Sequence, residues 1–167
     1  MNDFYTVRGY ELKNRENKVL SPSLEDYLEM IYREIGEKGY VRINELAKNL
    51  NVKPPSASKM AAKLSEKGFI SYEKYGIIKG TERGKEQGAY LLWRHKVVSD
   101  FFSLLSDDKD DKLKFIEVEQ VEHVLNPKSV YEIEMLVNYF QDGENLSEYL
   151  NWKGKTNIKS AETEHKT

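Results

Sequence analysis

The sequence predicts a mainly α-helical chain with a small β-wing: a winged helix-turn-helix followed by an all-helical domain. Three observations predict it. Apolar residues recur every three or four positions in stripes such as Leu24, Tyr27, Leu28, Ile31 and Ile35, the period of a helix with one buried face. Two short helical patterns, Arg42–Leu50 and Pro54–Lys67, are separated only by Asn51-Val52-Lys53, the spacing of a helix-turn-helix. The period then changes at Phe69–Lys74 and Ile77–Lys79, which flank Tyr75-Gly76 and form a hairpin signal.

Each element has its own local signal. Residues 1–20 are polar, with a short β-like piece around Tyr5–Val7. Ser21-Pro22-Ser23 opens the first helix, because serine and proline suit a helix start, and Gly36 and Gly39 end it. Asn51 suits the turn of the helix-turn-helix, since asparagine tolerates a left-handed backbone. Small Ala47 allows the two helices to cross closely. Pro54-Pro55 begins the second helix, where the first N–H groups have no partner in any case. After the hairpin, Thr81 caps a long helix over roughly 82–106, striped by Leu91, Val98, Phe102 and Leu105 and broken by the acidic run 107–111. A helix over about 110–125 follows. Asn126-Pro127 ends it and starts another, striped by Val130, Ile133, Val137 and Phe140. A short helix around Leu146–Trp152 precedes a polar tail.

The bulk numbers narrow the function. The 167 residues are 32% charged and contain no cysteine, which excludes disulfides, thiolate metal sites and a cysteine nucleophile. No apolar run is long enough for a membrane span, and the N-terminal stretch lacks the apolar core of a secretory signal, so the expected location is the cytoplasm. The net charge of −2 is unevenly spread. Residues 51–80 carry six lysines against two glutamates, whereas residues 100–150 carry thirteen Asp/Glu against four lysines. A basic segment in an acidic chain points to a local anion-binding surface, although lysines that merely solvate a helix face would give the same count.

That segment holds the candidate DNA-contacting residues. Ser56, Ser58, Lys59 and Lys63 lie on the expected recognition helix, and Lys74 and Tyr75 at the wing tip. Serine and lysine reach base edges or phosphates, and a helix N-terminus attracts phosphate. A winged helix used only as a protein-interaction scaffold stays open.

A second constellation carries metal-ligand chemistry. Asp26 and Glu29 sit three apart, and Glu119, Glu122 and His123 stand at i, i+3 and i+4, so each set shares one helix face. His95 falls on the stripe Leu91, His95, Val98 and Phe102, where a lone histidine is usually packed into the core. Singly, the carboxylates read equally well as solvated side chains or as partners of a helix dipole. Together, oxygen and nitrogen donors without sulfur suit Mn²⁺ or Fe²⁺ better than soft metals. The Glu-x-x-His motif of di-metal carboxylate enzymes is absent, since Gln120 stands three before His123, and no phosphate loop or Ser-His-Asp set appears. An enzyme is therefore not expected, and neither a membrane nor a small-molecule substrate is an expected partner. A winged-helix regulator that senses an organic ligand remains an alternative.

Several of these residues occur in an order that resembles the diphtheria toxin repressor family, and most closely its manganese-responsive branch. Pro22–Glu29 with Ile31-Tyr32, Lys59-Met60 with Lys63-Leu64, Tyr72–Tyr75, Arg94-His95, Val118-Glu119 and Glu122-His123 carry the likeness, which covers roughly residues 21–141. It implies a homodimeric repressor of double-stranded operator DNA, active when metal is bound and controlling manganese-uptake genes. The implied organisation is an N-terminal extension (1–20), a winged helix-turn-helix DNA-binding domain (21–82), a helical metal-binding and dimerisation domain (83–141) and a C-terminal helix or tail (142–167). Asp26, Glu29, His95, Glu119, Glu122 and His123 match the family's ligands, for two Mn²⁺ ions per subunit, with Fe²⁺ as the alternative. The iron-sensing branch places Met and Cys where this chain has Asp26 and Glu119, so the donor set here is harder. That branch also carries an SH3-like third domain, for which the 27 residues 141–167 are too few.

Overall fold

The computed structural model describes residues 19–73, 76–105 and 111–156. The expectations for Tyr5–Val7, for Lys74 and Tyr75 and for most of the acidic run lie outside them. In chain order the elements are α1 (Pro22–Ile35), a short 3₁₀ turn (Gly36–Lys38), β1 (Tyr40–Arg42), α2 (Ile43–Asn49), α3 (Pro54–Glu66), β2 (Ile70–Tyr72), β3 (Ile77–Gly80), α4 (Glu82–Leu105), α5 (Asp111–Glu122), α6 (Pro127–Gln141) and α7 (Gly143–Thr156). The expected class, mainly α with a small β-wing, is what folds. The chain forms two compact units, divided between Trp93 and Arg94 within α4.

In the first unit, α1 packs on α2, α3, β1 and β3. Its stripe Leu24, Leu28 and Ile31 is buried with Leu46 and Ala47 of α2 and with Ala57, Ala61 and Leu64 of α3. Alanines at the crossing let the backbones approach, and Leu46, Ala57, Ala61 and Leu64 are wholly buried. Asn51 has φ +52°, the left-handed value a tight turn needs, and it is the only non-glycine residue with positive φ among the described residues. The wing is antiparallel, with strand order β1-β3-β2. Strand β1 is an addition to the expected hairpin. It pairs Val41 with Ile78 across β3, so the strand lies between helix α1 and helix α2 and ties the wing back to the helices.

Thr81 caps α4 as its position suggests. Its Oγ1 accepts the Gly84 N–H at 3.0 Å and lies 2.8 Å from the Gly68 carbonyl, to which it donates. Thr81→Ala is expected to cost about 1–2 kcal/mol, read as a lower midpoint in denaturant unfolding. The start of α4 also seats Tyr32, whose hydroxyl donates to the Thr81 carbonyl at 3.0 Å. Burial raises the pKa of this phenol, so it stays a neutral donor at physiological pH.

In the second unit, Val97, Val98, Val118, Val130 and Val137 are buried. Asn126 caps α6 through its side-chain oxygen, which accepts the Ser129 N–H at 2.9 Å. Helix α7 is longer than the segment expected around Leu146–Trp152. It packs on α6, with the rings of Phe140 and Tyr149 5.0 Å apart.

Candidate metal centre and nucleic-acid interface

Helix α3 buries Ala57, Ala61 and Leu64 and so turns the opposite face outward. Ser56, Lys59 and Lys63 are exposed there, and their spacing of three and four places them on one face. Ser58 differs. It is half-buried, and its hydroxyl accepts a hydrogen bond from the Tyr72 hydroxyl at 3.2 Å, which fastens α3 to strand β2.

Four of the six candidate metal ligands gather in the second unit. His95 lies on α4, Glu119 and Glu122 on α5, and His123 directly after the last residue of α5. His95 Nδ1 is 2.9 Å from Glu122 Oε2 and 3.6 Å from Glu119 Oε1. His123 Nε2 is 3.8 Å from Glu122 Oε1. Glu119 and His123 offer ligand atoms within 4.8 Å of each other. Donors about 2.1 Å from a shared cation sit roughly 3 Å apart along the edge of its coordination shell, so these separations fit a hard divalent ion. Glu122 is only 1% exposed, an expensive place for a carboxylate unless a cation or donors face it. His95 also lines an open cleft of about 220 Å³ with Ser99, Ser103, Lys114, Phe115 and Val118.

Asp26 and Glu29 belong to the first unit, on one face of α1. Glu29 is buried, and its Oε1 accepts from Arg33 Nη2 at 2.7 Å. Their three-residue spacing gives them a common direction, as the sequence indicates.

One participant has no signal in the spacing. Arg94 is 2% exposed, with Nη2 3.2 Å from His123 Nδ1 and 3.7 Å from Glu122 Oε1. Which way it turns is fixed only by the packing around α4, which the sequence does not encode.

Comparisons with known proteins identify the family. Residues 19–78 match the family model described as iron dependent repressor, N-terminal DNA binding domain. The chain is 39% identical over 130 residues to the HTH-type transcriptional regulator MntR of Bacillus velezensis, covering 78% of this chain and 90% of that protein. It is 39% identical over 122 residues to the MntR of Oceanobacillus iheyensis, covering 73% and 82%. Its fold matches the structure of the manganese regulator SloR with a TM-score of 0.62 at 23% identity, over 72% of this chain and 55% of that one. Relatives of this identity and coverage are transcriptional regulators, a family whose members are not enzymes. The chain belongs to the family of metal-dependent, winged-helix transcriptional repressors that includes MntR and the iron-dependent repressors.

Proposed function

We propose that this chain is a cytoplasmic Mn²⁺-responsive repressor, which binds operator DNA as a homodimer when metal is bound and controls manganese-uptake genes. The observation that carries the reading is the sulfur-free cluster of His95, Glu119, Glu122 and His123, whose donor atoms have the spacing of a hard cation's ligand shell. Asp26 and Glu29 complete a six-residue set for two ions per subunit. They come from α1, and the other four from α4, α5 and the residue after α5. Without metal, the buried carboxylates depend on nearby donors, Arg33 at Glu29 and His95 and Arg94 at Glu122. With metal, their charge is neutralised, and both recognition helices are held at the spacing of successive major grooves at lower cost. The names of the MntR relatives favour manganese. The family model's name favours iron, and a transcription assay comparing the two metals separates them.

Ser56, Ser58, Lys59, Lys63, Lys74 and Tyr75 form the proposed DNA surface, with Ser58 acting through its bond to Tyr72. A second copy of the chain is the proposed occupant of the helical unit's apolar surface, where Tyr131, Met135, Leu136 and Tyr139 of α6 are 44–57% exposed.

Operator affinity measured by fluorescence anisotropy tests the switch. Mn²⁺ is expected to tighten binding by about 5–150-fold over the chelated protein, the usual span of allosteric coupling. Equal affinity in both conditions removes the reading. The double change Lys59→Ala with Lys63→Ala is expected to weaken binding to all sequences and to lower the salt slope by about two.

A further inference from the structure

We propose that Arg94 is a built-in cation that keeps His123 closed to metal in the metal-free protein, and so sets the Mn²⁺ concentration at which the site fills. The proposal rests on the metal-site reading above. A guanidinium only donates hydrogen bonds, so at 3.2 Å from Arg94 Nη2 the Nδ1 atom of His123 must be the acceptor. A neutral imidazole with Nδ1 accepting carries its proton on Nε2. Neither ring nitrogen then offers a lone pair to an incoming ion. Metal entry requires Arg94 to release Nδ1, after which the ring is open to coordination.

The same guanidinium faces Glu122 Oε1 at 3.7 Å, in surroundings where both side chains are almost fully buried. Arg94 therefore makes the empty site tolerable by offsetting the charge of a sequestered carboxylate. A divalent ion supplies that charge itself, and finds a fixed positive group a few ångströms away opposing it. Both effects act in one direction: Arg94 stabilises the metal-free state and penalises the metal-bound one. This is a role in setting affinity, distinct from ligation.

Calorimetric titration with MnCl₂ tests this on full-length protein. Arg94→Met removes charge and donor while keeping a long side chain, and is expected to tighten Mn²⁺ binding by about tenfold. Arg94→Lys keeps the charge and is expected to stay within about threefold of the parent chain. Unchanged or weaker binding by Arg94→Met overturns the proposal. A second measurement needs no variant. In ¹⁵N-labelled, metal-free protein the chain's three histidines are resolvable by NMR, and His123 is expected as the tautomer with the proton on Nε2. A proton on Nδ1 of His123 overturns the proposal whatever the variants do. If the parent chain gives no heat with MnCl₂, the metal-site reading fails separately, and the tautomer still decides whether Arg94 holds the ring.

Discussion

Replacing Gly84 with alanine is expected to destabilise the first unit by about 3 kcal/mol, at the upper end of what overpacking costs. A Cβ at this position would lie 1.8 Å from the Phe69 carbonyl oxygen and 2.2 Å from the Tyr32 hydroxyl. The first neighbour is backbone, and that part of the chain is held on both sides. Phe69 N–H bonds the Leu64 carbonyl at the end of α3, and Ile70 pairs with Gly80 in the wing. Neither can retreat without disturbing α3 or the wing. Gly88, one turn on, is similar, since its added Cβ would meet Tyr32 Cγ at 2.4 Å. Tyr32 is thus seated against Gly80, Gly84 and Gly88, and the phenol links α1 to the start of α4. Thermal unfolding checks the prediction: Gly84→Ala should lower the transition well beyond Thr81→Ala, which removes a cap on the same helix. A midpoint unchanged by Gly84→Ala would show that this junction is looser than the contacts indicate.

His123→Ala is expected to weaken Mn²⁺ binding by on the order of a hundredfold or more. Changes to groups that only orient a ligand cost roughly 10–100-fold, and deleting the ligand costs at least the top of that range. The fold should survive. His123 lies beyond the end of α5 and is partly exposed, so its removal empties no sealed core. Glu122→Ala is a poorer probe of the same site. Taking that carboxylate away strands the buried charge of Arg94, and breaking a buried pair costs about 3–5 kcal/mol of stability. Circular dichroism with a metal titration separates the two outcomes. A His123→Ala chain that keeps its helix content and still binds Mn²⁺ like its parent removes His123 from the ligand set.

The helices were legible because each carries its own signals. Ser21-Pro22, Pro54-Pro55, Thr81 and Asn126-Pro127 mark starts, the stripe of α1 is its buried face, and in α6 Val130 and Val137 of the stripe are buried while Ile133 and Phe140 are half-buried. The turn at Asn51 was legible for the same local reason. Strand β1 was not. Its three residues show a single buried side chain, Val41, too few for any period, and its partner Ile78 lies 37 residues further on. The sequence places Ser58 with Ser56 and Lys59 in the exposed first turn of its helix. Ser56, Lys59 and Lys63 keep helical spacing and share the exposed face, whereas Ser58 is half-buried and turned towards Tyr72.

The candidate ligands were visible as two short-range patterns, because helical spacing fixes which side chains share a direction. That His95 joins Glu119 and Glu122 depends on the packing of α4 and α5, which no spacing encodes. The role of Arg94 was hidden for a related reason. A buried arginine beside a histidine is an ordinary pair of letters until the rotamer shows which atoms it faces. The glycines at 84 and 88 did leave a signal, a spacing of four along one face of α4, which marks a groove for a large side chain.

The most direct test of the central claim, that oxygen and nitrogen donors in this chain hold hard divalent cations, is the number of ions bound. Metal-free protein equilibrated with Mn²⁺ and examined by electron paramagnetic resonance should lose the free-ion signal until two equivalents per chain are taken up. A free-ion signal that rises in proportion from the first addition, in protein that remains folded, contradicts it.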